Sequence, residues 1–204
     1  MSEKIKDGPF KTYYKNGQLQ FETIIKNNQY NGPYKEYYEN GQLRGEGTYK
    51  DDKKFGLFRG YYENGQLKGE FFSLNDGKLD GPFKMYHENG ILGEKGTFRN
   101  DMYNGPFERY YKNGQLRFKG KWKNDKYIGI IKEFYENGQL KGDFYYEDDL
   151  LHGPFTMYLE NGQLHSEGTY NNGELNGLIK YYDNEKLKVE RTYINGELID
   201  SKEY

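Results

Sequence analysis

The chain has 204 residues, of which 34% are hydrophobic and 18% aromatic, and its 30 basic and 32 acidic residues give a net charge of −2. It contains no Ala or Cys and a single Val, Val189, which excludes a conventional aliphatic core, disulfides, cysteine-based zinc sites and thiol catalysis. The balanced charge disfavours general nucleic-acid binding, which needs an excess of Lys and Arg, so we expect a chain that folds around Tyr and Phe rings.

A phrase of the form Gly-Pro-Phe-Lys-x-Tyr-Tyr-x-Asn-Gly-Gln-Leu recurs along the chain. Successive copies are 24 residues apart, apart from one spacing of 25 that indicates a single-residue insertion near Asn75. The pattern predicts a single repeat domain over residues 1–204, with the last unit and the tail acting as a cap. The eight units begin at Gly8, Gly32, Gly56, Gly81, Gly105, Gly129, Gly153 and Gly177.

Each unit carries two turn signals. The first is Asn-Gly, as at Asn40-Gly41, which predicts a two-residue type I′ hairpin turn. The second lies eleven residues later and is looser, as at Asp51-Asp52. Two turns per unit leave two strands per unit, or about sixteen in all. The predicted fold is therefore all-β: an elongated, single-sheet antiparallel meander of tandem β-hairpin repeats.

A two-residue turn at each Asn-Gly also predicts which residues face one another. It places opposite charges directly across the hairpin in most units, and in the fifth unit both signs are exchanged together, which supports the register. The fourth unit is an exception because it pairs two lysines. The predicted pairs are Lys11–Glu22, Lys35–Glu46, Arg59–Glu70, Lys84–Lys95, Glu108–Lys119 and Lys132–Asp143.

Alternation along the strands divides the side chains between two faces. One face is predicted to collect a set of rings and aliphatics. Its members include Phe10, Tyr14, Leu19, Ile25, Tyr34, Tyr38, Leu43, Tyr49, Trp122, Phe155, Leu164 and Tyr170. The other face carries the charged pairs, threonines (Thr48, Thr97 and Thr169) and a second aromatic row. We interpret this row either as sheet-stabilising or as a partner-binding site, because Tyr combines a large rigid area with a polar tip. It consists of Tyr13, Tyr37, Tyr61, Tyr86, Tyr110, Phe134, Tyr158 and Tyr181.

The phrase Gly-Pro-Tyr-Lys-Glu-Tyr-Tyr-Glu-Asn-Gly-Gln-Leu, from Gly32 to Leu43, resembles the bacterial variant of the MORN repeat. The resemblance covers nearly the whole chain. It implies an antitoxin or immunity-type role, since proteins of this variant family are often named as partners of polymorphic toxins. Members of the parent MORN family look like scaffolds for protein contacts, and phosphoinositide binding has been proposed for some of them. That lipid function would require basic patches, which this balanced chain lacks.

No catalytic or metal constellation is predicted, and hence no enzyme activity and no cofactor. His87, His152 and His165 occupy different positions of the repeat, so they are not expected to converge on a metal or a triad. A row of carboxylates recurs along one face, and each member already has a cation nearby, whereas acid–base catalysis needs two acids in different environments. The row consists of Glu22, Glu46, Glu70, Asp143 and Glu167.

Two functions follow as hypotheses. The first is a non-enzymatic scaffold for protein–protein interaction, in its sharpest form an antitoxin or immunity protein that neutralises its partner. The alternative is a carbohydrate or cell-surface binding module that uses the tyrosine row. Choline-binding wall repeats are built in a similar way but rely on Trp cages, and Trp122 is the single Trp here.

The sequence also bears on location and assembly. No apolar run is long enough to cross a bilayer, so no transmembrane segment is predicted. The first residues contain no apolar signal core, which makes the cytoplasm the expected compartment. Two copies could pair as a homodimer through the apolar face.

Overall fold

The computed structural model describes residues 6–74 and 76–204, so the predicted insertion point at Asn75 lies outside the described residues. All regular secondary structure in the described residues is β-strand. Twenty strands form one open antiparallel sheet in a hairpin meander. This confirms the predicted fold class. The four strands beyond the expected sixteen are three two-residue links, β3, β10 and β17 as bounded below, and a strand formed by the tail.

The first ten strands are β1 (Gly8–Tyr13), β2 (Leu19–Lys26), β3 (Gln29–Tyr30), β4 (Gly32–Tyr37), β5 (Leu43–Lys50), β6 (Lys53–Tyr61), β7 (Leu67–Ser73), β8 (Gly81–Tyr86), β9 (Leu92–Arg99) and β10 (Met102–Tyr103). The others are β11 (Gly105–Tyr110), β12 (Leu116–Lys123), β13 (Lys126–Phe134), β14 (Leu140–Glu147), β15 (Leu150–Tyr158), β16 (Leu164–Asn171), β17 (Glu174–Leu175), β18 (Gly177–Asp183), β19 (Lys186–Ile194) and β20 (Glu197–Glu203). The chain divides into two compact units, Met1–Met102 and Tyr103–Tyr204.

The Asn-Gly turns differ from the prediction. At Asn40-Gly41 only the glycine has a positive φ, of 85°. The Gly41 N–H donates to the Tyr38 carbonyl (2.9 Å) and the Tyr38 N–H donates to the Gln42 carbonyl (2.8 Å). This is a three-residue loop, a type I turn followed by a left-handed glycine, and the predicted two-residue type I′ turn at Asn-Gly is wrong.

The type I′ geometry belongs to the second turn of the units other than the third, where the Gly77 N–H donates to the Leu74 carbonyl as in the Asn-Gly loops. Asp51 and Asp52 have φ values of 51° and 64°, and Asn27 and Asn28 have values of 54° and 64°. Asn and Asp tolerate this left-handed region better than other non-glycine residues because their short side chains bond to nearby backbone. The weaker of the two sequence signals therefore marks the tighter turn.

The predicted charge register is nevertheless confirmed in all six hairpins. In the second unit Lys35 faces Glu46 as expected, because a β-bulge compensates for the longer turn. The register shifts after Glu36, so that Arg44 has no direct partner across the hairpin. The extra loop residue and the bulged residue cancel, and the pairs beyond the bulge are those of a two-residue turn.

The bulge changes which side chains share a face. Because Tyr37 lies opposite Leu43, these two side chains share one face, and the predicted grouping of Leu19, Leu43 and Leu164 with the buried rings is wrong. The bulged Arg44 points to the opposite face, where its guanidinium contacts Glu36 at 3.2 Å. We call the face of the buried rings the ring face, and the face of the Lys–Glu pairs the charged face.

The core of each compact unit lies on the ring face. One residue per hairpin forms a buried row, and its rings pack against a ring of the neighbouring strand: Tyr34 and Tyr49 have centroids 4.7 Å apart, and Phe155 and Tyr170 4.9 Å. Aromatic pairs at this separation stabilise by about 0.5–1.5 kcal/mol beyond their buried area. The buried members of the row are Tyr34, Phe83, Phe107, Ile131, Phe155 and Ile179.

Side chains at the turns join each repeat to the next. The Tyr14 hydroxyl donates to the Tyr37 carbonyl at 2.7 Å, and Asn16 Nδ2 donates to the Glu39 carbonyl at 3.1 Å. The hydroxyl bond recurs from Tyr38, Tyr62, Tyr111 and Tyr135. These bonds give the Tyr and Asn of each unit a role in holding neighbouring hairpins in register.

Candidate functional site

The predicted tyrosine row lies on the charged face, next to the Asn-Gly loops. Each of its first seven members faces a leucine across its own hairpin, as Tyr13 faces Leu19 and Tyr61 faces Leu67. The same pairing holds for Tyr37, Tyr86, Tyr110, Phe134 and Tyr158. The row is therefore a band of aromatic–leucine pairs, and its aliphatic half escaped sequence analysis because alternation without a bulge assigns the leucines to the other face.

The eighth member of the row is Tyr182, and the assignment of Tyr181 is wrong. Tyr182 faces Leu187, in the same way that Tyr158 faces Leu164. Tyr181 points to the ring face, where the Arg191 guanidinium lies 5.3 Å from its ring centroid. The turn that joins β18 and β19, Asn184-Glu185, is one residue shorter than the Asn-Gly loops. Counting back from this turn therefore gives Tyr181 in place of Tyr182.

Several hydroxyls of the row are bonded to carboxylates of the preceding repeat. Tyr37 donates to Glu22 at 2.9 Å, and Tyr61 donates to Glu46 at 2.8 Å. Tyr182 donates to Glu167 at 2.7 Å, and Tyr110 donates to Glu108 on its own strand. These bonds support the sheet-stabilising interpretation of the row, because each hydroxyl–carboxylate contact between repeats ties two hairpins together.

The same bonds shift pKa values. Burial, and then the hydrogen bond to a carboxylate, raises the pKa of Tyr37 and of Tyr61 to about 12. At Tyr182 the hydrogen bond to Glu167 is the larger cause, and the pKa is again about 12. The pKa of Glu22 is lowered, first by the Tyr37 hydroxyl and then by Lys11.

These shifts predict a loss of stability at high pH. A tyrosine with a raised pKa in the folded state contributes stability below its unfolded pKa of about 10, and this contribution is lost as pH rises through about 12. We expect urea midpoints to fall between pH 10 and pH 12, and to fall less in a Tyr37→Phe/Tyr61→Phe variant. Tyr13→Phe, at a 58% exposed position, is the matched control and should keep the wild-type slope. Equal slopes in all three proteins would contradict a stabilising role for these hydroxyls.

The charged face also carries an apolar stripe near the second turns. The residue after the leading glycine of each unit faces a residue of the return strand, and several such pairs are exposed and apolar. Leu57 (45% exposed) faces Phe72 (37%), and Ile130 (57%) faces Tyr145 (40%). The first members are Pro9, Pro33, Leu57, Pro82, Pro106, Ile130, Pro154 and Leu178, and the second are Ile24, Thr48, Phe72, Thr97, Lys121, Tyr145, Thr169 and Thr192.

Sequence reasoning missed this stripe although the predicted register contains it. The register that pairs Lys11 with Glu22 also pairs Pro9 with Ile24, two residues further along the same strands. The signal that reveals the stripe is the recurrence of an apolar residue after the leading glycine in every unit.

Shallow grooves cross the stripe between repeats. The first has a volume of about 250 Å³ and lies among Pro9, Ile24 and Pro33, with Lys11, Glu22 and Lys35 along it. Two similar grooves measure about 240 and 230 Å³ and contain Leu57 and Ile130, respectively. All are smaller than the roughly 300–1,000 Å³ typical of small-molecule pockets.

A ladder of ion pairs runs between the stripe and the tyrosine row. Lys11 contacts Glu22 at 3.2 Å, and Arg59 contacts Glu70 at 2.9 Å. Lys132 contacts Asp143 at 3.2 Å. Each of these carboxylates has a cation of the same hairpin within 3.2 Å, so the ladder presents paired charges beside the stripe.

His152 and His165 lie in different surroundings. His152 lies 3.9 Å from Glu147, and His165 packs edge-on against Tyr181. Over residues 6–74 and 76–204, no three His, Asp or Glu side chains are grouped so that they could hold a metal ion. The same part of the chain contains no helix long and apolar enough to cross a membrane.

Comparison with known proteins places the repeats in a family. The sequence model of the MORN repeat variant family matches residues 6–27, 30–51, 56–75, 79–100, 103–124, 127–148, 151–172 and 178–195. No curated protein matches the chain. Among solved structures, a porin-like protein from Bacteroides uniformis is similar over 95% of this chain and 92% of its own, with 10% sequence identity and a TM-score of 0.22.

Proposed function

The chain belongs to the MORN repeat variant family, and we propose that it is a non-enzymatic repeat scaffold that binds a protein partner through its charged face. The observation that carries the proposal is the exposed apolar stripe beside a ladder of ion pairs. Exposed apolar residues scattered singly are common on protein surfaces, whereas aligned ones rimmed by polar groups are typical of interaction sites.

The composition of the charged face favours a macromolecular partner. Its grooves are shallow, and their apolar walls are repeated along the face instead of being concentrated in one place. Tyr and Arg are enriched among the side chains that contribute most to protein–protein interfaces, and exposed apolar neighbours add buried area. Tyr145, Leu57 and Arg59 supply these groups at exposed or half-buried positions.

Charge indicates what the partner presents to the first compact unit. The groove at Pro9 is lined by two cations, Lys11 and Lys35, and one carboxylate, Glu22. The next groove has the same ratio, with Lys35 and Arg59 against Glu46. An apolar segment flanked by carboxylates would therefore complement both grooves. In its sharpest form the partner is a toxin that this protein neutralises.

The proposal is tested by affinity capture from a lysate of the source cells with wild-type protein and two variants. The variants are Leu57→Ser/Phe72→Ser and Ile130→Ser/Tyr145→Ser, which remove one exposed pair from each compact unit. Truncating apolar contacts at an interface centre costs about 1–2 kcal/mol or more, so the purified captured protein should bind a variant at least about tenfold more weakly.

Matched controls separate the stripe from general hydrophobicity. Leu150 and Ile194 are 50% and 53% exposed at second turns, and their serine variants should retain the captured protein. A protein captured equally by all variants would contradict binding through the stripe. Capture of no protein, with retention on cell envelopes instead, would favour the carbohydrate-binding alternative. An inhibitor-type partner is recognised by loss of its toxicity when the two proteins are co-expressed.

A further inference from the structure

One lysine interrupts a row of apolar residues that follows the second turns on the ring face. The second residue after each type I′ turn is an apolar or aromatic residue in the other units, for example Tyr30, Tyr103 and Tyr127. In the second unit this position is Lys54, which faces Tyr49 just as Tyr30 faces Ile25. Because this position is polar in one unit alone, the lysine marks a feature that occurs once. The ion pairs of the charged face, by contrast, recur from unit to unit.

The Lys54 ammonium is partly withdrawn from water. It lies 4.7 Å from the Phe58 ring centroid and 5.5 Å from that of Tyr34. Among the described residues no carboxylate lies within ion-pair distance of it, because the nearby Glu36 carboxylate is paired with Arg44 at 3.2 Å. Burial lowers the pKa of Lys54, and the charge of Glu36 offsets this only in part.

A cavity of about 180 Å³ lies beside this ammonium, within the first compact unit. It is lined by Tyr34, Tyr38 and Phe58, together with Gly45. A cavity of about 150 Å³ is enough to hold a benzene ring, so there is room for one planar group. Basic side chains outnumber acidic ones along the lining, which favours an anionic ligand.

We propose that this cavity binds a carboxylate carried on a planar or apolar body, with the Lys54 ammonium pairing with the carboxylate and the rings packing against the body. The Lys54 ammonium lies over the rings of Phe58 and Tyr34, so a carboxylate paired with it would have its apolar body against these rings. Pairing in a partly desolvated site is stronger than at an exposed lysine because water screens it less. Lys54 and the rings of Tyr34 and Phe58 belong to the ring face, so the site is separate from the apolar stripe of the charged face, although Arg59 borders both.

The test uses the full chain with its lysines reductively ¹³C-methylated, which preserves their charge, and follows the Lys54 signal by NMR during titration with sodium benzoate. We expect a saturable shift with benzoate and none with benzamide, its neutral counterpart. Lys54→Tyr restores the residue found at the equivalent position of other units, so it should fold with undiminished thermal stability and bind benzoate at least tenfold more weakly. A blocked Phe-Glu dipeptide provides a second arm, in which tighter binding than benzoate would identify an acidic protein side chain as the source of the carboxylate.

Lys53→Tyr is the matched control, because Lys53 is the preceding residue and is exposed. This variant removes the same charge outside the cavity. It should bind benzoate like the wild type. Lys54→Met, which keeps the aliphatic stem, replaces Lys54→Tyr if that variant unfolds. Benzoate binding that persists in the Lys54 variant, that is lost equally in Lys53→Tyr, or that never saturates would overturn the proposal.

Discussion

Phe107→Ala is expected to lower the free energy of unfolding of the second compact unit by about 3–5 kcal/mol, the usual cost of truncating a buried Phe. The Phe107 side chain is 2% exposed, and its ring centroid lies 5.4 Å from that of Trp122 and 5.6 Å from that of Tyr127. The neighbouring Gly120 has no side chain with which to fill the space. Because native domains are stable by only about 5–15 kcal/mol, this loss would be a large share of the total.

Urea denaturation measures the effect, and the single Trp of the chain makes fluorescence a local probe of the unit that contains Phe107. Leu178→Ala is the control, since that side chain is apolar, in the same unit and 46% exposed. It should cost less than half as much as Phe107→Ala. A loss below about 1 kcal/mol for Phe107→Ala would mean that the ring row is not the core of this unit.

Sequence alone predicted the strand pattern because its two determinants are local. Turn residues recur at fixed intervals, and charges such as Lys11 and Glu22 report on the register between them. The sequence nevertheless predicts type I′ turns at Asn-Gly, whereas the structure has them at second turns such as Asp51-Asp52. The correct register survived because the extra residue of the Asn-Gly loop is offset by the bulge at Arg44 and its equivalents.

The bulge is what sequence reasoning lacked at the candidate site. Nothing in the composition of Leu43-Arg44-Gly45 distinguishes a bulged strand from a regular one, so Leu43 was assigned to the wrong face. Tyr181 was misplaced for a related reason, since a one-residue change in turn length moves every later position to the other face. Lys54, by contrast, was visible in an alignment of the eight units, but its partial burial between two rings is a property of the fold.

The glycines of the ring face show why the repeat needs small residues there. A Cβ added at Gly47 would lie 2.7 Å from Phe58 Cβ, 3.2 Å from Phe58 Cα and 3.0 Å from Tyr34 Cε1. Two of these atoms move only with the backbone of β6, so the ring alone cannot relieve the clash. The rings lie flat over such glycines, which is how a single sheet buries them.

Gly47→Ala is therefore expected to destabilise the first compact unit by about 1–3 kcal/mol, the usual cost of overpacking a core. Gly60→Ala is a close control on the same face, because the nearest atom to its added Cβ is a backbone oxygen 3.8 Å away. That variant should be neutral or gain about 0.4–1 kcal/mol from a less flexible unfolded chain.

Urea denaturation followed by far-UV circular dichroism measures both changes, and hydrogen exchange of β4 to β6 assigns them to the first unit. Opposite signs for the two variants would establish that contact with the rings, and not the backbone freedom of glycine, fixes Gly47. Equal losses would contradict this account, because they would arise from the replacement of any glycine in these strands. The comparison thus separates packing from backbone entropy at two positions that share a face and differ in the room above them.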